Sequence, residues 1–230
     1  MTAATTASHP ESELDLEEKS RILKEQFQPI LDRKSPDCNW PMKLLYDSLN
    51  LIIGKERKLT TLRSLELYAI VPPIVQALFN SNPFLVRDSI KPFSEISTKL
   101  APEDESRNHE IAHFLLLDGL IKKENVKESY IKDRLLPLLF TVLYFIFSCL
   151  LYLVSEKLFL IIHADGEGCV EYSYAQFLKQ NPQYETDYDV EFAKDFGAFK
   201  SVADVFKAVA IQERGHREKS LEMVSQLRRN

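Results

Sequence analysis

Two Glu-x-x-His elements, Glu110-Ile-Ala-His113 and Glu213-Arg-Gly-His216, stand far apart in a chain of 230 residues that has only five histidines. An α-helix turns about 100° per residue, so positions i and i+3 lie within roughly 60° of each other and each pair shares one helix face. Both elements sit in apolar surroundings. Phe114-Leu-Leu-Leu117 follows the first, and Val205-Phe206 and Val209-Ala-Ile211 precede the second. Glu66, within Leu62-Arg-Ser-Leu-Glu-Leu-Tyr-Ala-Ile-Val71, and Glu167 are two further glutamates in helical, apolar contexts. A chain with this pattern must either expose those faces or bring them together around a counter-charge, because an unpaired buried carboxylate is costly. Any single Glu-x-x-His element reads equally well as a solvated surface pair. Four carboxylates and two imidazoles on four helices form the ligand set of a carboxylate-bridged di-iron centre in a helical bundle.

The composition is consistent with an all-α chain. Glycine is scarce, at six residues, and most segments show helical rather than alternating periodicity. A net charge of −5, without a dense Lys/Arg cluster, argues against nucleic acid as a partner. Cys38, Cys149 and Cys169 have no C-x-x-C spacing, which suits a reducing intracellular compartment. Residues 1–18 hold five acids and no Lys or Arg and are expected to form a disordered tail, with residues 19–230 as a single domain. That tail lacks both the apolar core of a secretory signal and the arginine-rich pattern of a mitochondrial transit peptide.

Leu135–Val154 is an uncharged run long enough to cross a bilayer as a helix. It could span, lie buried in a bundle, or rest on the membrane with its outer face in lipid. Spanning would place Glu110/His113 and Glu167 on opposite sides, so burial or an interfacial position is expected. Lys122, Lys123, Lys127, Lys132 and Arg134 crowd before the run, suited to anionic headgroups or to an ordinary solvated loop.

Helices are expected over Leu16–Asp32, Trp40–Ile53, Arg57–Phe79 (kinked or ended at Pro72-Pro73), from Pro102 through His113, from the apolar run to Gln180, and over Ser201–Leu227. A turn-rich stretch, Asn80–Ala101, and a polar linker, Glu124–Asp133, separate them. A loop follows Gln180.

Four motifs, in order, resemble those of the alternative oxidase family of di-iron quinol oxidases. Leu65-Glu-Leu-Tyr-Ala-Ile-Val-Pro is similar to L-E-[ST]-x-A-x-V-P, and Asn108-His-Glu-Ile-Ala-His-Phe-Leu to N-E-R-M-H-L. Gly166-Glu-Gly-Cys-Val-Glu-Tyr-Ser-Tyr-Ala-Gln-Phe-Leu is similar to L-E-E-E-A-x-H-[ST]-Y-x-x-[FY]-L. Asp204-Val…Ile211-Gln-Glu-Arg-Gly-His-Arg is similar to D-V…R-A-D-E-A-H-H. The resemblance implies that Glu66, Glu110, His113, Glu167, Glu213 and His216 bind two iron ions. It implies that Tyr174 takes part in electron transfer, and that the apolar run and the helix after Glu66 form a membrane-facing plateau that pairs subunits into a homodimer. The chain departs from the family at His109 and Gln212, where Asn or Asp precedes each Glu-x-x-His, and at Thr61, Gly168, Cys169 and Arg217.

The expectation is therefore an all-α four-helix di-iron bundle with additional N-terminal and apolar membrane-facing helices. Its expected activity is O2-dependent oxidation of a lipophilic small molecule at a membrane surface, with specialised-metabolite biosynthesis as the expected setting. Ubiquinol oxidation with reduction of O2 to water is the first alternative, and a non-catalytic membrane-associated helical protein the second.

Overall fold

A computed structural model describes residues 13–53, 57–81 and 103–227, and among these every regular element is helical. In chain order they are α1 (Glu13–Leu31), α2 (Trp40–Ile53), α3 (Leu59–Ala69), α4 (Val71–Ser81), α5 (Glu103–Lys123), a π-helical turn (Tyr130–Leu135), α6 (Leu136–Val154), α7 (Glu156–Gln180), two 3-10 turns (Pro182–Glu185 and Glu191–Ala193) and α8 (Val202–Gln226). The expected turn-rich stretch Asn80–Ala101 falls, beyond Ser81, outside the described residues.

α7 and α8 form the most extensive helix pair, α3 packs along α5, and α1 lies across α7 and α8. Phe27 and Ile30 of α1, Leu62 of α3, Leu117 and Leu120 of α5, Tyr174 of α7 and Phe206 of α8 belong to one buried core. Phe206 packs with Tyr174, Phe177 and Tyr184, ring centroids 4.9–5.9 Å apart; each such side chain contributes about 1.5–3 kcal/mol on burial. A smaller core joins Val75 and Phe79 of α4 to Phe159 and Leu160 of α7 and Val224 of α8.

Several boundaries differ from expectation for local reasons. α1 starts inside the expected tail, at Glu13. Its acidic first turns suit the helix dipole, and Glu17 is held by Lys200 at 2.6 Å. The helix carrying Glu66 ends at Ala69, ahead of Pro72-Pro73, and α4 takes both prolines into its first turn, where their missing N–H groups have no helical partner to lose. The apolar run does not continue into the next helix. Ser155 adopts extended backbone and its Oγ accepts a hydrogen bond from Leu158 N, capping α7. At the start of α8, Ser201 likewise accepts from Asp204 N.

α6 is not a buried bundle helix. Only 17% of its most apolar stretch is buried, and the segment Tyr130–Val154 is long and apolar enough to cross a membrane. Pro137 and Ser148 face the body and Tyr144 and Tyr152 pack on the smaller core. Leu139, Leu143, Ile146, Leu150 and Leu153 form an exposed stripe at helical spacing. Of the basic residues before it, Lys122 pairs with Asp118, Lys123 with Asp187 and Asp189, and Arg134 with Glu128 and Asp118.

Candidate metal centre

α3, α5, α7 and α8 deliver six ionisable side chains into one buried volume: Glu66, Glu110 with His113, Glu167, and Glu213 with His216. The structure brings together all six residues named from the sequence, and these buried Glu/His groups could hold a metal ion. They fall into two sets of four. Glu66, Glu110, His113 and Glu213 form one; Glu110, Glu167, Glu213 and His216 form the other, and within each set the ligand atoms lie within 4.8 Å of one another. Glu110 and Glu213 belong to both sets.

The two Glu-x-x-His elements cross over. His113 Nδ1 lies 2.7 Å from Glu213 Oε1 on the other helix and 3.8 Å from its own-helix Glu110. His216 Nδ1 lies 2.6 Å from Glu110 Oε1 and 3.7 Å from Glu213. The two pairs of distances are nearly equal. The close approaches to Glu213 and Glu110 lack hydrogen-bond alignment: both oxygens of Glu110, Glu167 and Glu213, and His216 Nδ1, are buried without a hydrogen-bond partner. Buried polar atoms are normally satisfied. Lone pairs from several helices converging unpaired is the signature expected of ligands around a cation.

Glu171, one turn beyond Glu167 on α7, is an internal control. Its buried carboxylate is held by Arg33 at 2.6 Å and Arg214 at 2.8 Å. Where a buried carboxylate is structural, the fold supplies guanidinium groups. Arg63 and Lys207 are buried too. Arg63 is committed to Asp118 and Glu128, and Lys207 to Asp204 and Glu185. The four central glutamates instead face histidines and a tyrosine.

Without an ion, protons must carry the balance. Burial and the Glu213 charge push the Glu66 carboxyl up to about 8, and raise Glu110 and Glu167 as well. Against the pull of burial, the Glu110 and Glu213 carboxylates lift His216 to about 10, and Glu66 and Glu213 raise His113. Burial alone would raise Glu213, but His113 and His216 hold it well below the usual carboxylate range.

Neighbouring groups orient the set. His113 Nε2 lies 2.7 Å from Gln212 Oε1. An amide oxygen only accepts, so Nε2 carries a proton and Nδ1 is left to face the carboxylates. Gln212 thus supplies an orienting hydrogen bond to His113. His109 stacks on His216, centroids 5.8 Å apart. Tyr174, fully buried, donates its hydroxyl to Glu66 Oε1. His163 was not anticipated: it is buried with Nδ1 3.1 Å from Glu167 Oε1, and burial depresses it to about 4. Its position one turn before Glu167 was the available signal. Gly168 and Cys169 pack against the Asp37–Asn39 segment between α1 and α2.

In comparisons with protein-family models, curated proteins and solved structures, nothing matches this chain.

Proposed function

We propose that the protein is a di-iron oxidoreductase that uses O2 to oxidise a lipophilic small molecule at a membrane surface. The observation that carries this is the pair of four-residue ligand sets sharing Glu110 and Glu213. Shared carboxylates are what two adjacent ions require, with Glu66 and His113 completing one site and Glu167 and His216 the other. Four ionised carboxylates balance two dications, and a mixed carboxylate–imidazole set suits ferrous and ferric iron. When bound, the two irons supply O2 binding and redox equivalents.

The chain's own residues do the remainder. The ligands are buried, so bulk water is excluded and each charge acts at low dielectric. Gln212 fixes the tautomer and ring orientation of His113. Tyr174 holds Glu66 through its hydroxyl, and so places a redox-capable ring against a ligand of one site. The α6 stripe offers an apolar surface for lipid, the medium from which a lipophilic substrate partitions. α6 packs on the body near both ends, at Pro137 and Tyr152, which favours lying in the interface, monotopic, over spanning. Pairing of two copies through the adjoining apolar surface follows the same logic.

Tyr174 against Glu66 favours a second reading, a ubiquinol oxidase reducing O2 to water, since one-electron transfer through a tyrosine fits a quinol donor. Oxygen uptake by iron-replete protein in liposomes separates the two. Uptake driven by a ubiquinol analogue establishes the quinol oxidase. Uptake only with other lipophilic substrates establishes the first reading, and no uptake with either, from protein holding its iron, overturns both.

A further inference from the structure

Cys38 and Cys169 are separated by 131 positions, yet their Sγ atoms lie 3.7 Å apart. Both are free thiols; Cys169 is buried in α7 and Cys38 is partly exposed on the segment linking α1 to α2. Their contact is held by its surroundings. Asn39 donates from its backbone N and from Nδ2 to Asp165 on α7, each at 3.1 Å. Arg217 of α8 pairs with Asp37 at 3.0 Å. Between these, the Asp37 carbonyl lies so close over Gly168 that a Cβ there would collide with it. The Asp37–Asn39 strap is therefore seated on the turn of α7 that carries Glu167, with one thiol from each side in contact.

We propose that Cys38 and Cys169 are a thiol–disulfide site, oxidised by low-molecular-weight disulfides, which locks the strap to the Glu167 turn of α7. Bonded sulfurs lie about 2.05 Å apart, so closure needs an approach of under about 2 Å, within reach of side-chain rotation on a surface segment. Cys38, the more accessible thiol, attacks one sulfur of the small disulfide as thiolate, forming a mixed disulfide and releasing one thiol. Cys169 then attacks the Cys38 sulfur, releasing the second. Two S–H bonds and the oxidant's S–S bond break, one protein S–S bond forms, and the two electrons and two protons leave on two molecules of small thiol. Cys149, elsewhere on α6, takes no part.

The site is independent of the iron reading, and its test reads thiols and stability. The full-length protein is incubated with oxidised glutathione, alkylated under denaturing conditions and mapped without reduction. Free thiols should fall from three to one, with Cys38 and Cys169 peptides joined and Cys149 alkylated. Closing so long a loop should raise Tm by roughly 5–15 °C, reversibly with dithiothreitol. Cys169→Ala should trap glutathione on Cys38, and Cys38→Ser should abolish both cross-link and Tm shift. Three thiols remaining, a wild-type protein arrested as the Cys38 glutathione adduct, or a cross-link to Cys149 would each overturn the proposal.

Discussion

Replacing Glu66 with Gln should stabilise the metal-free protein while impairing the metal-loaded one. Glu66 is fully buried, and its carboxyl is pushed up from 4.5 to about 8 by burial and by Glu213. At neutral pH the unfolded chain carries this group ionised, whereas the metal-free fold carries it protonated. The two and a half pH units between 4.5 and neutrality, at about 1.4 kcal/mol each, amount to a penalty of about 3–4 kcal/mol. The sign follows from linkage. A carboxyl with a raised folded-state pKa contributes its full stability below 4.5, and that contribution is lost as pH rises towards 8. Glutamine has the same shape, keeps an oxygen for the Tyr174 hydroxyl, and has no charge to desolvate. Glu66→Gln should therefore raise the Tm of metal-free protein by roughly 6–12 °C at pH 7. The gain should shrink towards zero at pH 5. Thermal unfolding of chelator-treated protein across pH 5–8 is the assay. An unchanged or lower Tm at pH 7, or a gain independent of pH, would refute the reasoning.

Removing a shared ligand should differ from removing an unshared one: Glu110→Ala should empty both iron sites and Glu167→Ala mainly one, read by elemental analysis. Tyr174→Phe should keep its iron and slow turnover by about tenfold or more, as expected for a lost redox or proton-moving group; unchanged turnover would assign Tyr174 to packing alone. Leu143→Glu with Ile146→Glu, on the exposed face of α6, should abolish co-sedimentation with anionic vesicles. The same pair should change stability by no more than about 0.5 kcal/mol, and retained vesicle binding would remove α6 from the membrane interface.

Much of the fold was legible where sequence carries punctuation. α2 runs from Trp40 to Ile53 as its apolar spacing indicates, and Ser201 marks the start of α8 by capping it. The Ser155 break was not legible, because apolar residues continue on its near side and neither Gly nor Pro marks it; a single side-chain cap made the difference. Glu110 with His113 and Glu213 with His216 were legible because helical spacing puts each pair on one face; Glu66 and Glu167 were marked only by apolar context and by the motifs they resemble. Their partition into two sets sharing Glu110 and Glu213 depends on how α5 and α8 cross, which no local pattern encodes. Long-range pairing hid the rest. Arg33 and Arg214 reach Glu171 from α1–α2 and α8, and Cys38 meets Cys169 across most of the chain.

The central claim, two ions held by two overlapping ligand sets, is tested most directly by the iron content of protein purified from iron-supplemented cells. Close to two irons per folded chain is the predicted result. Folded, helical protein holding no iron would contradict it, and would leave the four buried glutamates balanced by protons alone.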